Sequence, residues 1–220
     1  MKKLFVVIPA YNEEKRIGGV IKKTKKYTKN IIVVDDGSRD RTYDVASKLG
    51  VTVIRHVINL GKGAALKTGC EIAVRKGADI IILIDSDGQH NPHQIPKFIK
   101  NLDGNDIVFG CRELSKEMPF TMRFGNWFIR LTTHLLFGIK LKDTQCGFRA
   151  FTRQAYQKIK WESCDYAVES EMIANAGKKN LKLKQIPIET IYADMYKGTT
   201  VVDGFKIVSN MLWWRLTRWK

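Results

Sequence analysis

Three observations predict an α/β fold with a mostly parallel central sheet flanked by helices. Short β-branched runs alternate with helical segments through the first half of the chain. The most apolar of these runs, Ile80-Ile81-Ile82-Leu83-Ile84, has the length of a central strand buried on both faces. Polar clusters follow three of the runs, at Pro9 to Glu13, at Asp35-Asp36 and at Asp85 to Asp87. Ligands in open parallel sheets bind at the carboxyl ends of the strands, where these clusters fall.

The elements follow in order. Leu4 to Ile8 is a strand ended by Pro9, and Asn12 to Tyr27 reads as a helix with Asn12 as its cap and acids in its first turn. Ile31 to Val34 is a strand stopped by Asp35-Asp36-Gly37-Ser38. A helix from about Arg41 to Leu49 stops at Gly50. Val51 to Ile54 is a strand, Ala64 to Lys76 a helix, and Ile80 to Ile84 the central strand. Helix Pro92 to Asn101 and strand Asp106 to Gly110 complete five strands joined by right-handed crossovers. Beyond residue 110 the rhythm breaks. An amphipathic stretch spans Phe124 to Ile139, a helix Asp165 to Lys179 and a strand Leu183 to Ile191.

Composition narrows the function classes. Apolar residues make up 44% of the 220, enough for a core, so a disordered chain is excluded. Lys and Arg number 38 against 22 Asp and Glu, a formal charge of +16 that calls for anionic company. No fold signature of nucleic-acid binding is present, and the acidic turns would repel a phosphate backbone, so nucleic acid is not the expected partner. Four scattered cysteines without metal-site spacing suit a reducing compartment. Neither a secretory signal nor an apolar run of about 18 residues is visible.

The sharpest chemistry lies in Asp85-Ser86-Asp87. Two carboxylates one residue apart on a turn after a buried strand can reach one hard divalent cation, Mg²⁺ or Mn²⁺, with Gln89 adding an oxygen. A β-to-α turn also collects Asp and Gly simply to cap a helix. Asp36 can accept from a nucleobase N–H, or serve an ordinary Asp-Gly turn. Tyr11 and Glu13 offer a stacking ring and a carboxylate for a ribose hydroxyl, or merely a helix start. Gly61-Lys62-Gly63 can bring backbone N–H groups and an ammonium to an anion.

The ordered set PAYNE at 9–13, VDDGS at 34–38, NLGKGAAL at 59–66 and DSDGQH at 85–90 resembles glycosyltransferase family 2. The similarity to its dolichyl-phosphate sugar synthases extends through Gly110-Cys111-Arg112, Arg123 to Asn126 and Asp143 to Arg149. It covers about residues 4 to 191. The resemblance implies a GT-A fold, an inverting transfer and a divalent metal. By position it implies that Pro9, Tyr11, Glu13, Val34 and Asp36 hold the nucleoside, with Lys62 and Ser86 beside the nucleotide-sugar. Asp85, Asp87 and Gln89 would hold the metal and diphosphate, Arg112 the donor's phosphates or the acceptor phosphate, and Arg123 and Arg149 the acceptor phosphate. Asp87, Arg112 and Arg123 would then be the catalytic set. Two of its departures from the family bear on the site. Cys146 replaces the usual Ser, and Met195 to Thr200 lacks the family's arginine and lysine, leaving Lys197 as a substitute.

A polyprenyl phosphate is already an anion, so its attack needs alignment and charge relief rather than a base. A sugar hydroxyl would need a carboxylate base, for which Glu169 and Glu171 are candidates beside a helix-packing role. The tail, wound at about 100° per residue, sets Phe205, Val208, Met211, Leu212, Leu216 and Trp219 on one arc with basic residues around it. It suits an interfacial helix on an anionic membrane surface, or one packed on the sheet. The expected organisation is a catalytic domain over 1–204 and an amphipathic helix over 205–220. The expected function is transfer of a sugar from a UDP- or GDP-linked donor to dolichyl or polyprenyl phosphate, by a peripheral protein on the cytoplasmic face of a membrane. A soluble family member acting on a glycan, and a non-catalytic membrane-surface scaffold, are the alternatives.

Overall fold

The computed structural model describes residues 2–112, 120–191 and 201–218, and side chains over 2–112, 125–191 and 204–217. A seven-stranded sheet is built from β1 (Leu4–Ala10), β2 (Ile31–Asp35), β3 (Thr52–Arg55), β4 (Ile80–Leu83), β5 (Ile107–Arg112), β6 (Arg149–Thr152) and β7 (Leu183–Ile188). Its order is β3-β2-β1-β4-β6-β5-β7. All neighbours run parallel except β6, which is antiparallel to both β4 and β5. The helices are α1 (Ile17–Thr24), α2 (Thr42–Ser47), α3 (Lys62–Arg75), α4 (Ile95–Asn101), α5 (Phe120–Phe137), α6 (Arg153–Ile159), α7 (Val168–Lys178) and α8 (Val201–Arg218).

The central strands are buried on both sides because their residues alternate between two cores. Phe5, Val7, Ile32, Val34, Ile81 and Leu83 face one layer, formed with α3, α6 and α7. Val6, Ile8, Ile31, Val33, Ile80 and Ile82 face the other, formed with α1 and α4. A third cluster joins α5, α7 and α8 through Ile129, Ala174, Ile207, Met211 and Trp214.

One expectation is corrected, and two features carry no signal in the sequence. The first helix starts at Ile17 rather than Asn12. Asn12 has φ of 54°, its N–H donates to Ser38 Oγ, and its Oδ1 accepts from the Arg39 N–H, so it ties two loops together instead of capping. The strand following β4 in space is not β5: the short β6 separates them. β6, which Arg149 opens, and α6 have no apolar run to announce them, although Thr152 caps α6 by accepting the Ala155 N–H.

The tail is helical, but Ile207, Met211 and Trp214 are the residues it buries, while Phe205, Leu212, Trp213 and Leu216 are exposed. Neighbouring α5 and α7 select the buried face, which the tail's own periodicity does not specify. Trp219 and Lys220 lie outside the described residues.

Candidate active site

Strand order sets the site. β2, β1 and β4 are adjacent, so the clusters after Ala10, Asp35 and Leu83 emerge side by side at one sheet edge. The Asp36 N–H donates to the Ala10 carbonyl at 2.8 Å, joining two of them. Tyr11 is partly exposed at the mouth. Glu13 is buried, with its N–H on Thr42 Oγ1 at 2.7 Å and its carboxylate on Arg16 at 3.1 Å. Pro9 and Val34 are register partners in the buried sheet. Val34 packs beneath α3 at Gly69, so its side chain belongs to the core.

Asp36 is heavily engaged. Its Oδ1 meets His56 Nδ1 at 2.7 Å and the Leu60 N–H at 3.0 Å, and its Oδ2 accepts the Gly61 N–H at 2.8 Å. His56 Nε2 in turn meets Thr68 Oγ1 at 3.0 Å. The carboxylate thus shapes the loop leading to Lys62. The expectation that the Gly61-Lys62-Gly63 backbone meets a bound anion is corrected for two of its N–H groups: that of Gly61 donates to the Asp36 carboxylate, and that of Gly63 to the Cys164 carbonyl at 2.7 Å. These glycines serve close chain approach. A Cβ at Gly63 would lie 2.1 Å from the Ser163 carbonyl oxygen, and one at Gly61 2.3 Å from that of Cys164. Gly63→Ala is therefore expected to destabilise by about 1–3 kcal/mol, read as a lower urea midpoint at unchanged slope.

Lys62 opens α3 and reaches across the site. Its Nζ lies 2.8 Å from Asp85 Oδ1 and 2.9 Å from Glu169 Oε1. Burial alone would lower its pKa, but the two carboxylates raise it well above the ordinary value. Burial likewise favours the neutral Asp85, yet Lys62 and His90 hold Asp85 well below the carboxylate range. Asp87 is pushed up, by burial and by the Asp85 charge. Its Oδ1 accepts the Gln89 N–H at 2.9 Å. Ser86 is buried between them.

The 189–191 segment closes over this turn through a bridge from His90 to Thr190, with the Ile191 N–H on the Gln89 carbonyl. Hard oxygen donors on a turn with a surplus of negative charge fit Mg²⁺ or Mn²⁺. Among the described residues no three acidic, His or Cys side chains form a closed cage.

Arg112, at the end of β5, grips Asp143: Nε to Oδ2 at 2.8 Å and Nη2 to Oδ1 at 3.1 Å. Burial pushes the Asp143 carboxyl up, but the Arg112 charge and hydrogen bonds outweigh it and hold the carboxyl below its ordinary value. A carboxyl depressed in the folded state stabilises above its unfolded pKa, and that contribution is lost as pH falls through the folded value. The stability difference between the wild type and Asp143→Asn should therefore be full at pH 6 and shrink below about pH 4, measured by urea unfolding at each pH.

Arg149 is not at the surface. Its Nε donates to the Cys146 carbonyl, Nη1 to that of Glu169 and Nη2 to that of Thr144, at 2.8, 2.8 and 2.9 Å, and the residue is 1% exposed. This burial corrects the expectation that it faces an acceptor phosphate. Arg123 lies on α5, but its side chain is outside the described residues, as is Lys197 altogether.

Both candidate bases carry contacts within the chain. Glu169 is paired with Lys62, and Glu171 accepts from the Ser163 N–H at 2.8 Å and from its hydroxyl. Sequence reasoning passed over Asp143 as the partner of Arg112 and Glu169 as that of Lys62. Separations of 31 and 107 residues leave no local signal for either.

Across 96% of the chain the fold matches glucosyl-3-phosphoglycerate synthase from Mycobacterium tuberculosis, with TM-score 0.76, 20% identity and 79% of that chain covered. The fold is thus the GT-A type of nucleotide-sugar-dependent glycosyltransferases. Residues 5–160 match the model of glycosyl transferase family 2, and the chain belongs to that family. It is 44% identical over 220 residues to an uncharacterized protein of Methanocaldococcus jannaschii, covering 95% of this chain and 90% of the relative. It is 36% identical over 244 residues to the UDP-N-acetylglucosamine–dolichyl-phosphate N-acetylglucosaminyltransferase of Methanococcus voltae, covering 96% and 95%. It is 30% identical to a dolichyl-phosphate β-glucosyltransferase of Trichomonas vaginalis, covering 83% and 64%.

Proposed function

We propose that the protein transfers a sugar from a UDP-sugar to dolichyl or a related polyprenyl phosphate, with inversion and with Mg²⁺ or Mn²⁺ bound at the Asp85–Asp87 turn. One observation carries the reading. The acidic turn sits at the ends of the central strands beside Lys62, so the site supplies charge relief for a leaving diphosphate, which is what a nucleophile that is itself an anion needs. Relatives named for UDP-N-acetylglucosamine and dolichyl phosphate support the donor and acceptor. Solved neighbours hold UDP with Mn²⁺ or Mg²⁺.

A divalent cation held at this turn would supply neutralisation of charge on the leaving diphosphate. Asp87 and Asp85 would hold it, with Gln89 beside them, and Tyr11 and Glu13 would face the nucleoside. Asp36 and Val34 shape the pocket from behind. Arg112 and Arg123 align the acceptor phosphate, whose oxygen forms the bond to the anomeric carbon as the bond to the diphosphate breaks. The electron pair leaves with UDP, and no proton moves.

Among the described residues no helix is long and apolar enough to cross a membrane. The paired helices α5 and α8 nonetheless expose Trp127, Phe128 and Leu135 on one and Leu212, Trp213 and Leu216 on the other. Exposed Lys206 and Arg215 flank them. This face suits peripheral binding to an anionic leaflet, the cytoplasmic one where nucleotide-sugars are found. Trp213→Glu together with Leu216→Glu should reduce co-sedimentation with phosphatidylserine vesicles at least about tenfold while leaving the fold intact.

The function itself is tested by offering labelled UDP-N-acetylglucosamine, UDP-glucose and GDP-mannose with a short polyprenyl phosphate, in Mn²⁺ or EDTA. Label from a UDP-sugar should enter the organic phase only with metal. Transfer to added glycans instead, or none from any donor, would overturn the lipid-phosphate acceptor.

A further inference from the structure

We infer that Lys62 is a resident counter-ion of the metal turn. Its ammonium holds the place beside Asp85 that a divalent cation would neutralise, so the metal binds well only together with a nucleoside diphosphate, whose phosphates take over the ammonium. The inference rests on the metal–nucleotide reading above.

The enclosure of Asp85 is the first ground. Oδ1 is 2.8 Å from Lys62 Nζ, and His90 Nε2 is 3.4 Å from Oδ2. Gly147 backs the carboxylate so closely that a Cβ there would lie 2.3 Å from Oδ2. The second ground is Glu169, a 4%-exposed carboxylate with Oε1 on Lys62 and Oε2 buried without a hydrogen-bond partner among the described residues. Two enclosed carboxylates need positive charge, and one ammonium serves both.

The third ground is the position of Lys62 itself. It is the first residue of a 14-residue helix, at the positive end of the dipole, where a cation is disfavoured unless something else holds it. A divalent ion entering beside that ammonium meets a like charge at a few ångström in a partly enclosed site. Anionic diphosphate oxygens remove the conflict from both sides. They complete the shell of a cation held by one or two carboxylates, and they accept from the ammonium. Such coupling is reciprocal: the nucleotide promotes the metal as much as the metal promotes the nucleotide.

The test is Mn²⁺ binding, followed by the loss of the electron paramagnetic resonance signal of the free ion, with and without UDP. Wild-type protein should take up Mn²⁺ weakly alone and about tenfold more tightly with UDP. Lys62→Met should bind Mn²⁺ alone about tenfold more tightly than wild type, with a smaller response to UDP. Lys62→Arg, which keeps the charge, should behave as wild type. If Lys62→Met does not melt cooperatively, Lys62→Gln, neutral but polar, must show the same gain. Equal Mn²⁺ affinity of the neutral variants and wild type without nucleotide would overturn the inference and leave the metal–nucleotide reading standing. Absence of Mn²⁺ uptake by wild type even with UDP would overturn both.

Discussion

Asp87→Asn is expected to lower kcat/KM for sugar transfer by about 10²–10³-fold while leaving the thermal midpoint nearly unchanged. The amide keeps an oxygen for the Gln89 N–H that Oδ1 now accepts, so the turn retains its shape. What is lost is the charge. Asp87 is pushed up by burial and by the Asp85 carboxylate, as befits a group whose cation arrives with the substrate. Asp85 differs, because Lys62 already answers its charge. Of the two carboxylates, Asp87 thus has the larger effect on metal-dependent transfer and the smaller one on folding. Labelled-sugar transfer across a Mn²⁺ titration, alongside a circular-dichroism melt, checks it. Near-wild-type turnover of Asp87→Asn would place the metal elsewhere or make it dispensable.

Arg149→Met is expected to be the most destabilising of the substitutions considered, by about 3 kcal/mol. The side chain ties three separate pieces of chain through the carbonyls of Thr144, Cys146 and Glu169. Its guanidinium also lies 5.1 Å from the centroid of the Phe109 ring. Truncation would take a charged donor from three carbonyls, leaving Thr144 only the 3.3 Å bond from Gln145 Nε2, which outweighs the relief of no longer burying a charge. For a chain of this length the thermal midpoint should fall by roughly 6–12 °C. Arg149→Lys should recover only part of this, since one ammonium cannot fork to three carbonyls in different directions. An acceptor-phosphate role would show the opposite pattern: an unchanged melt and a raised KM for the lipid phosphate.

The contrast between Arg112 and Arg149 shows what a linear reading can reach. Both arginines sit in segments that resemble the same family, and both were expected to meet phosphates. Arg112 lies at the sheet edge near the site, whereas Arg149 opens an antiparallel strand inserted between β4 and β5 and points into the core. Nothing local separates them, because β6 has no apolar run and its position depends on pairing with strands 40 to 70 residues earlier. The glycines of 61–63 teach the same lesson. Their spacing suggests an anion loop, but a Cβ at either Gly61 or Gly63 would collide with the carbonyls of Ser163 and Cys164, a hundred residues away.

The first five strands, the helices between them and the acidic turns at their carboxyl ends are legible in the sequence alone. Each rests on local periodicity or on the residue types of a single turn, and both are short-range properties. The tertiary structure decided which charges meet. Lys62 lies between Asp85 and Glu169, Arg112 on Asp143 and Asp36 on His56, because the strand order brings together residues that the chain keeps far apart. It also decided which face of the C-terminal helix is buried, since apolar residues lie on more than one side of that helix and packing against α5 and α7 selects Ile207, Met211 and Trp214.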